Sequence, residues 1–186
     1  CCRVPFKGDV MTADIPALST LPFIPYLDAT GQIPTDCQGK VGIYGIFDAE
    51  QTLQFVGYSR DVYVSLKQHL VRQPGVCHSY KLETIDRPSR TLLEGIRTAW
   101  IDENSGLPSG NENEAAWTAA IDAKATMTPE EQSEYEALEE AAQGKYLKKI
   151  ARRVEAEILD TLKARGVQME LRFNPKLKES GLLNLK

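Results

Sequence analysis

Between residues 40 and 59 the chain carries two apolar runs around a short polar turn. Val41, Ile43, Ile46 and Phe47 open the first run, Leu53, Phe55 and Val56 fill the second, and Asp48-Ala49-Glu50-Gln51 lie between them. Two such runs predict an antiparallel hairpin over 40–47 and 52–59. The period then changes. Asp61 stands in position to cap a helix, and Val62, Leu66, Leu70 and Val71 recur at helical spacing up to the stop signal Pro74-Gly75. Residues 76–84 return to alternation, with Val76, His78, Tyr80 and Leu82 on one side and Cys77, Ser79, Lys81 and Glu83 on the other, which predicts a third strand. After Pro88, Leu92, Leu93, Ile96 and Trp100 predict a second helix over 89–103, and 104–113 reads as a loop by composition.

The flanks differ from this middle. Residues 1–39 hold five of the ten prolines (Pro5, Pro16, Pro22, Pro25 and Pro34). Proline removes a backbone donor and fixes φ, so an extended arm is expected there. On the other side, Thr128-Pro129-Glu130-Glu131 reads as a capping box with proline at the first helical position. It predicts a glutamate-rich helix over 129–142, a break or kink at Gly144, a second helix over 145–165 ending at Arg165-Gly166, and a short strand over 167–173. The expected fold is α+β: a small three-stranded antiparallel sheet with flanking helices. The division is an arm (1–39), a sheet-and-helix domain (40–113) and a helical extension with a short strand and tail (114–186).

Composition is ordinary for a globular protein, with 42% hydrophobic and 26% charged residues. No apolar run is long enough to cross a bilayer as a helix. The net charge of −4 weighs against a dedicated nucleic-acid binder, because phosphate neutralisation supplies most of such affinity, although a local patch can suffice. Lys145, Lys148, Lys149, Arg152 and Arg153 form one such stripe; pairing with the neighbouring glutamates, or simple solvation, is the favoured reading of it. Cys1, Cys2, Cys37 and Cys77 form no CxxC pair and no zinc spacing, so reduced thiols in a reducing compartment are expected. The chain begins at Cys1 without a charged-plus-apolar leader, which fits a processed organellar precursor.

The hairpin contains two glycine-anchored triplets, Gly42-Ile43-Tyr44 and Phe55-Val56-Gly57. With the helix, strand and helix that follow, this order over residues 40–113 resembles the GIY-YIG nuclease family, with phenylalanine in place of the second tyrosine. The resemblance implies metal-assisted phosphodiester hydrolysis, in which a glutamate holds a divalent ion, tyrosine hydroxyls handle the attacking water and an arginine stabilises developing charge. On that pattern Tyr44 and His69 are the candidate catalytic residues and Glu94 the candidate ligand for Mg²⁺, while Arg60 and Asn111 line the site. Phe55 lacks the second hydroxyl, and Ser65 stands where the arginine should be. Each residue also has a plain structural reading: a packed tyrosine, a half-buried histidine, a surface glutamate, a loop asparagine.

Two functions follow from the resemblance. The favoured expectation is a catalytically impaired domain acting as a structural or interaction subunit of a larger assembly, with protein partners at the arm and the C-terminal helices and no cofactor. The alternative is an active Mg²⁺-dependent endonuclease. The stretches FVGYSRDVYVSLKQHLVRQ and FNPKLKESGLL are similar to GIY-YIG domain proteins of cyanobacteria and plant plastids, which implies a plastid stroma or plastid complex.

Overall fold

The computed structural model describes residues 16–186; Cys1, Cys2 and the first part of the expected arm lie outside the described residues. The architecture is α+β. Four antiparallel strands run in the order β1-β4-β2-β3, where β1 is Ile24–Pro25, β2 Gly42–Phe47, β3 Leu53–Ser59 and β4 Ser79–Thr84. The hairpin and third strand expected from the sequence are present. The expectation of three strands is corrected to four, because the proline-rich segment itself supplies β1. Ile24 pairs with Tyr80 and Pro25 with Ser79. Proline cannot donate to a ladder, so this segment can join a sheet only at its edge. Tyr26 then buries its ring completely and donates its hydroxyl to the Leu66 carbonyl at 2.8 Å.

All six residues of β2 are buried, since helices cover both faces of this central strand. On one face Tyr44, Ile46 and Phe55 pack with Leu66 and Leu70 of α1 (Val62–Arg72), with Trp117 of α4 (Glu114–Thr118) and with Ile150 and Val154 of α6 (Glu140–Ala164). On the other face Ile43, Phe47, Leu53 and Val56 pack with Leu93, Ile96 and Trp100 of α2 (Arg90–Glu103). Phe55 and Leu53 lie on opposite faces although two residues apart. A register shift explains this: Ile46 pairs with Phe55 but Phe47 with Leu53, so Gln54 is bulged out and the alternation resets.

Helix ends follow local chemistry. Asp61 accepts from the Val64 N–H, Ser89 from the Leu92 N–H, and Thr128 and Glu131 form the full capping box of α5 (Pro129–Ala137). The chain beyond α2 departs from expectation in three places. The break falls at Leu138–Glu139, and α6 runs unbroken through Gly144, where only the Glu179 carbonyl comes near an added Cβ, at 3.6 Å. The supposed loop contains α3 (Ser109–Glu112). The strand expected over 167–173 does not form. That segment lies against irregular chain, through Gln168 N–H to Gly31 and Lys186 N–H to Arg172, and makes only an isolated bridge at Phe173 with Leu185. The remaining strands, β5 (Ile121–Asp122) and β6 (Leu182–Leu183), pair with each other.

β3 is the open edge of the sheet, and α3 closes it. The Asn111 side chain accepts from the Val56 N–H at 2.8 Å and donates to the Val56 carbonyl at 2.9 Å. Ser109 donates to the Gln54 side chain at 2.7 Å. The approach is close enough that a Cβ on Gly110 would sit 2.4 Å from the Gln54 carbonyl and 2.6 Å from Trp117 Nε1, so only glycine fits there.

Candidate anion-binding pocket

One face of α1 and one face of the hairpin meet over a small cleft of about 240 Å³. Ser65, His69 and Arg72 reach it from α1, because positions i, i+4 and i+7 share a helix face. Tyr44 and Phe55 reach it from the sheet, and Arg97 from α2. At its base the Tyr44 hydroxyl lies 2.9 Å from His69 Nε2, and His69 is 3% exposed. Phe55 stacks on Trp117 with parallel rings 5.0 Å apart and leans against the imidazole at 4.9 Å. The ring at position 55 is therefore a wall of the core.

Burial decides the protonation of the central pair. It lowers the His69 pKa to about 3, with the nearby Arg72 cation adding to the effect. Burial likewise pushes the Tyr44 phenol up, against smaller opposing contributions from Ser65, Arg72 and Arg97. Both groups are neutral at neutral pH, so the charge of the cleft comes from the guanidinium groups. Arg72 donates to the Trp117 carbonyl at 2.9 Å and to the Asn184 side chain at 3.1 Å, and its Nε is buried without a partner. His69 Nδ1 is also buried without a partner. Arg97 donates to the Val56 carbonyl and to Glu114, each at 3.2 Å. Two cations against one carboxylate, with the Tyr44 phenol and the hydroxyls of Ser65 and Thr118 beside them, make a site for an anionic group.

The structure brings Tyr44, His69, Phe55 and Ser65 together and leaves the other named residues elsewhere. Ser65 donates to Ser59 at 2.7 Å and carries no charge into the cleft. Arg60 is exposed and borders a different cleft, with Val41 and Pro88. Asn111 is buried, and its amide is engaged with Val56. Glu94 is exposed and held by Arg90 at 2.7 Å, with the Tyr58 hydroxyl at 3.4 Å; the Arg90 hydrogen bond keeps its carboxyl below the usual range. Among the described residues no three His, Cys, Asp or Glu side chains gather as a metal site. Arg72 and Arg97 were missed in the sequence. Arg72 was legible, seven residues after Ser65 and three after His69 on one helix face. Arg97 was not, because nothing local says that α2 crosses behind β3.

No model of a known protein family matches the chain. Over 76 residues the chain is 33% identical to the bifunctional monothiol glutaredoxin-S16, chloroplastic, of Arabidopsis thaliana, a match of 39% of this chain and 26% of that protein. The chain thus spans about a quarter of the length of this relative. These findings overturn the family reading taken from the triplets: the relative is named for thiol chemistry, and the nuclease resemblance, with the pseudonuclease and endonuclease functions built on it, is withdrawn.

Thiol chemistry requires an accessible thiolate. Cys37 and Cys77 are free and buried; burial raises both thiol pKa values, that of Cys77 to about 12. Neither is a nucleophile at neutral pH. Cys77 and Cys37 are therefore expected to resist iodoacetamide in the native chain and to react once urea unfolds it. Peptide mapping separates them from Cys1 and Cys2; rapid native labelling of Cys77 would refute the assignment.

Proposed function

We propose that this chain is an anion-recognition domain associated with a chloroplast redox protein, supplying ligand binding while the reactive thiol lies outside its described residues. The observation that carries the reading is the cleft in which Arg72 and Arg97 flank the neutral Tyr44–His69 pair. The relative's name supports the setting, since it is chloroplastic, bifunctional and matched over only a quarter of its length. The burial of Cys37 and Cys77 supports placing the reactive thiol elsewhere. The plastid compartment belongs to this proposal, as do the division at residues 39 and 113 and contact with protein partners through the arm and C-terminal helices. Among the described residues no helix is long and apolar enough to cross a membrane.

The ligand class is a small carboxylate or phosphate, bound by charge-assisted hydrogen bonds. Titration of the 186-residue chain with inorganic phosphate and, separately, with citrate distinguishes the two, read by the fluorescence of Trp117 against a Trp100→Phe background. One of them should give a saturable change, and Arg97→Gln should weaken it about tenfold, the value of one charge-assisted bond. Absence of a saturable response to either anion, or a response that Arg97→Gln leaves intact, would refute the reading.

A further inference from the structure

α5 and the first half of α6 form a surface that the cleft at Tyr44 does not use. α5 buries none of its residues and is strongly acidic. Glu134, Glu136, Glu139 and Glu140 are all exposed along it and its junction with α6. Immediately beside this ridge lies an open groove of about 740 Å³. Leu138, Ala142 and Tyr146 form its floor, and Lys145, Lys149 and Arg152 its rim. Among the described residues these three cations have no carboxylate within ion-pairing distance, whereas Lys148 is paired with Glu179 and Arg153 with Glu131. Lys145 and Lys149 are four apart, and Lys149 and Arg152 three apart, so like charges repel along one helix face. On α5, Glu130 and Glu134 are four apart and repel in the same way.

We propose that this surface binds a second copy of the chain, the acidic ridge of each copy seating against the basic groove of the other. A patch with an acidic half and a basic half side by side is self-complementary under a two-fold rotation, which is the condition for an isologous dimer. Two such contacts form at once, and each relieves the repulsion on both helices. The apolar floor favours a protein ridge over a phosphate backbone, which has no apolar face to bury. Tyr146 is also poorly placed to stack a base: Lys149 lies over its ring at 5.5 Å, and its hydroxyl is held by Glu134 at 2.8 Å.

Sedimentation equilibrium of the 186-residue chain tests this. Low salt should give a concentration-dependent doubling of mass, reversed by high salt because exposed charges are screened. Lys149→Glu with Arg152→Glu should abolish the dimer, and so should Glu136→Lys with Glu140→Lys. These side chains are exposed, so both variants keep the native circular dichroism. Mixed in equal amounts, the two variants should form a heterodimer, because every contact in it is again between opposite charges. A wild-type chain that stays monomeric at its highest soluble concentration overturns the proposal. So does a dimer that survives either reversal, or a mixture that fails to pair.

Discussion

Asn111→Ala is expected to lower the unfolding free energy by roughly 3 kcal/mol, because it removes two hydrogen bonds and strands the buried Val56 N–H of β3. The amide makes both of its bonds to one residue, Val56, which is itself fully buried. The Val56 carbonyl keeps its bond from Arg97, but the N–H has no other neighbour on the open edge to turn to. Urea denaturation read by far-ultraviolet circular dichroism gives the number. Asn111→Asp separates the hydrogen-bond account from a packing account. It conserves shape and keeps the acceptor for the N–H, but it sets a carboxylate oxygen against the Val56 carbonyl. It should therefore also destabilise the chain, and more so above the carboxylate pKa than below it. If both variants unfold like the wild type, Asn111 is not the clasp described above.

The second large effect is on the pH dependence of stability. His69 is neutral in the folded chain down to about pH 3 because of burial, aided by Arg72, whereas in the unfolded chain it takes up a proton at an ordinary histidine pKa. Below about pH 6.5 the unfolded state thus binds more protons than the folded one, and stability falls as pH falls, by up to about 1.4 kcal/mol per pH unit. Between pH 7 and pH 5 the loss should be about 2 kcal/mol. The perturbed carboxylates Asp28, Glu94, Glu103 and Glu130 all have lowered pKa values, so their contributions are lost only at lower pH, through the carboxylate range. His69→Gln should flatten the slope between pH 5 and 7. A slope of the same size in that variant would show that another group is responsible.

What could be read along the chain was whatever is decided within a few residues. The helix caps at Asp61 and Thr128, the hairpin of β2 and β3 and the stop after Arg72 are all local chemistry, and each is found where it was expected. The proximity of Tyr44 and His69 was also approachable, since a hairpin and the helix following it pack face to face. Long-range partners were not. Nothing near Pro25 announces that it borders β4, and nothing near Asn111 says that a strand edge 55 residues earlier lacks donors and acceptors. Arg97 enters the cleft only because α2 lies behind β3. Gly144 was expected to interrupt a helix on intrinsic preference, but Leu147, Ile150, Ala151 and Val154 beyond it bury one face of α6 and outweigh that preference. The two triplets misled in a different way. They describe a tight hairpin whose glycines admit neighbouring chain, a packing requirement that many chemistries share. At Gly57 an added Cβ would meet the Phe55 ring at 2.6 Å and the Tyr44 hydroxyl at 3.0 Å.

The clasp on β3 also bears on how the chain behaves when crowded. An unpaired strand edge is a template on which other chains can add strands and grow insoluble aggregates. Here one edge strand is only two residues long and contains Pro25, and the other is occupied by the Asn111 amide and the turn at Gly110. Neither offers a free row of donors and acceptors. Opening of the 109–112 segment would expose the longer edge without unfolding the rest of the sheet, and would present the strand template that the closed chain hides.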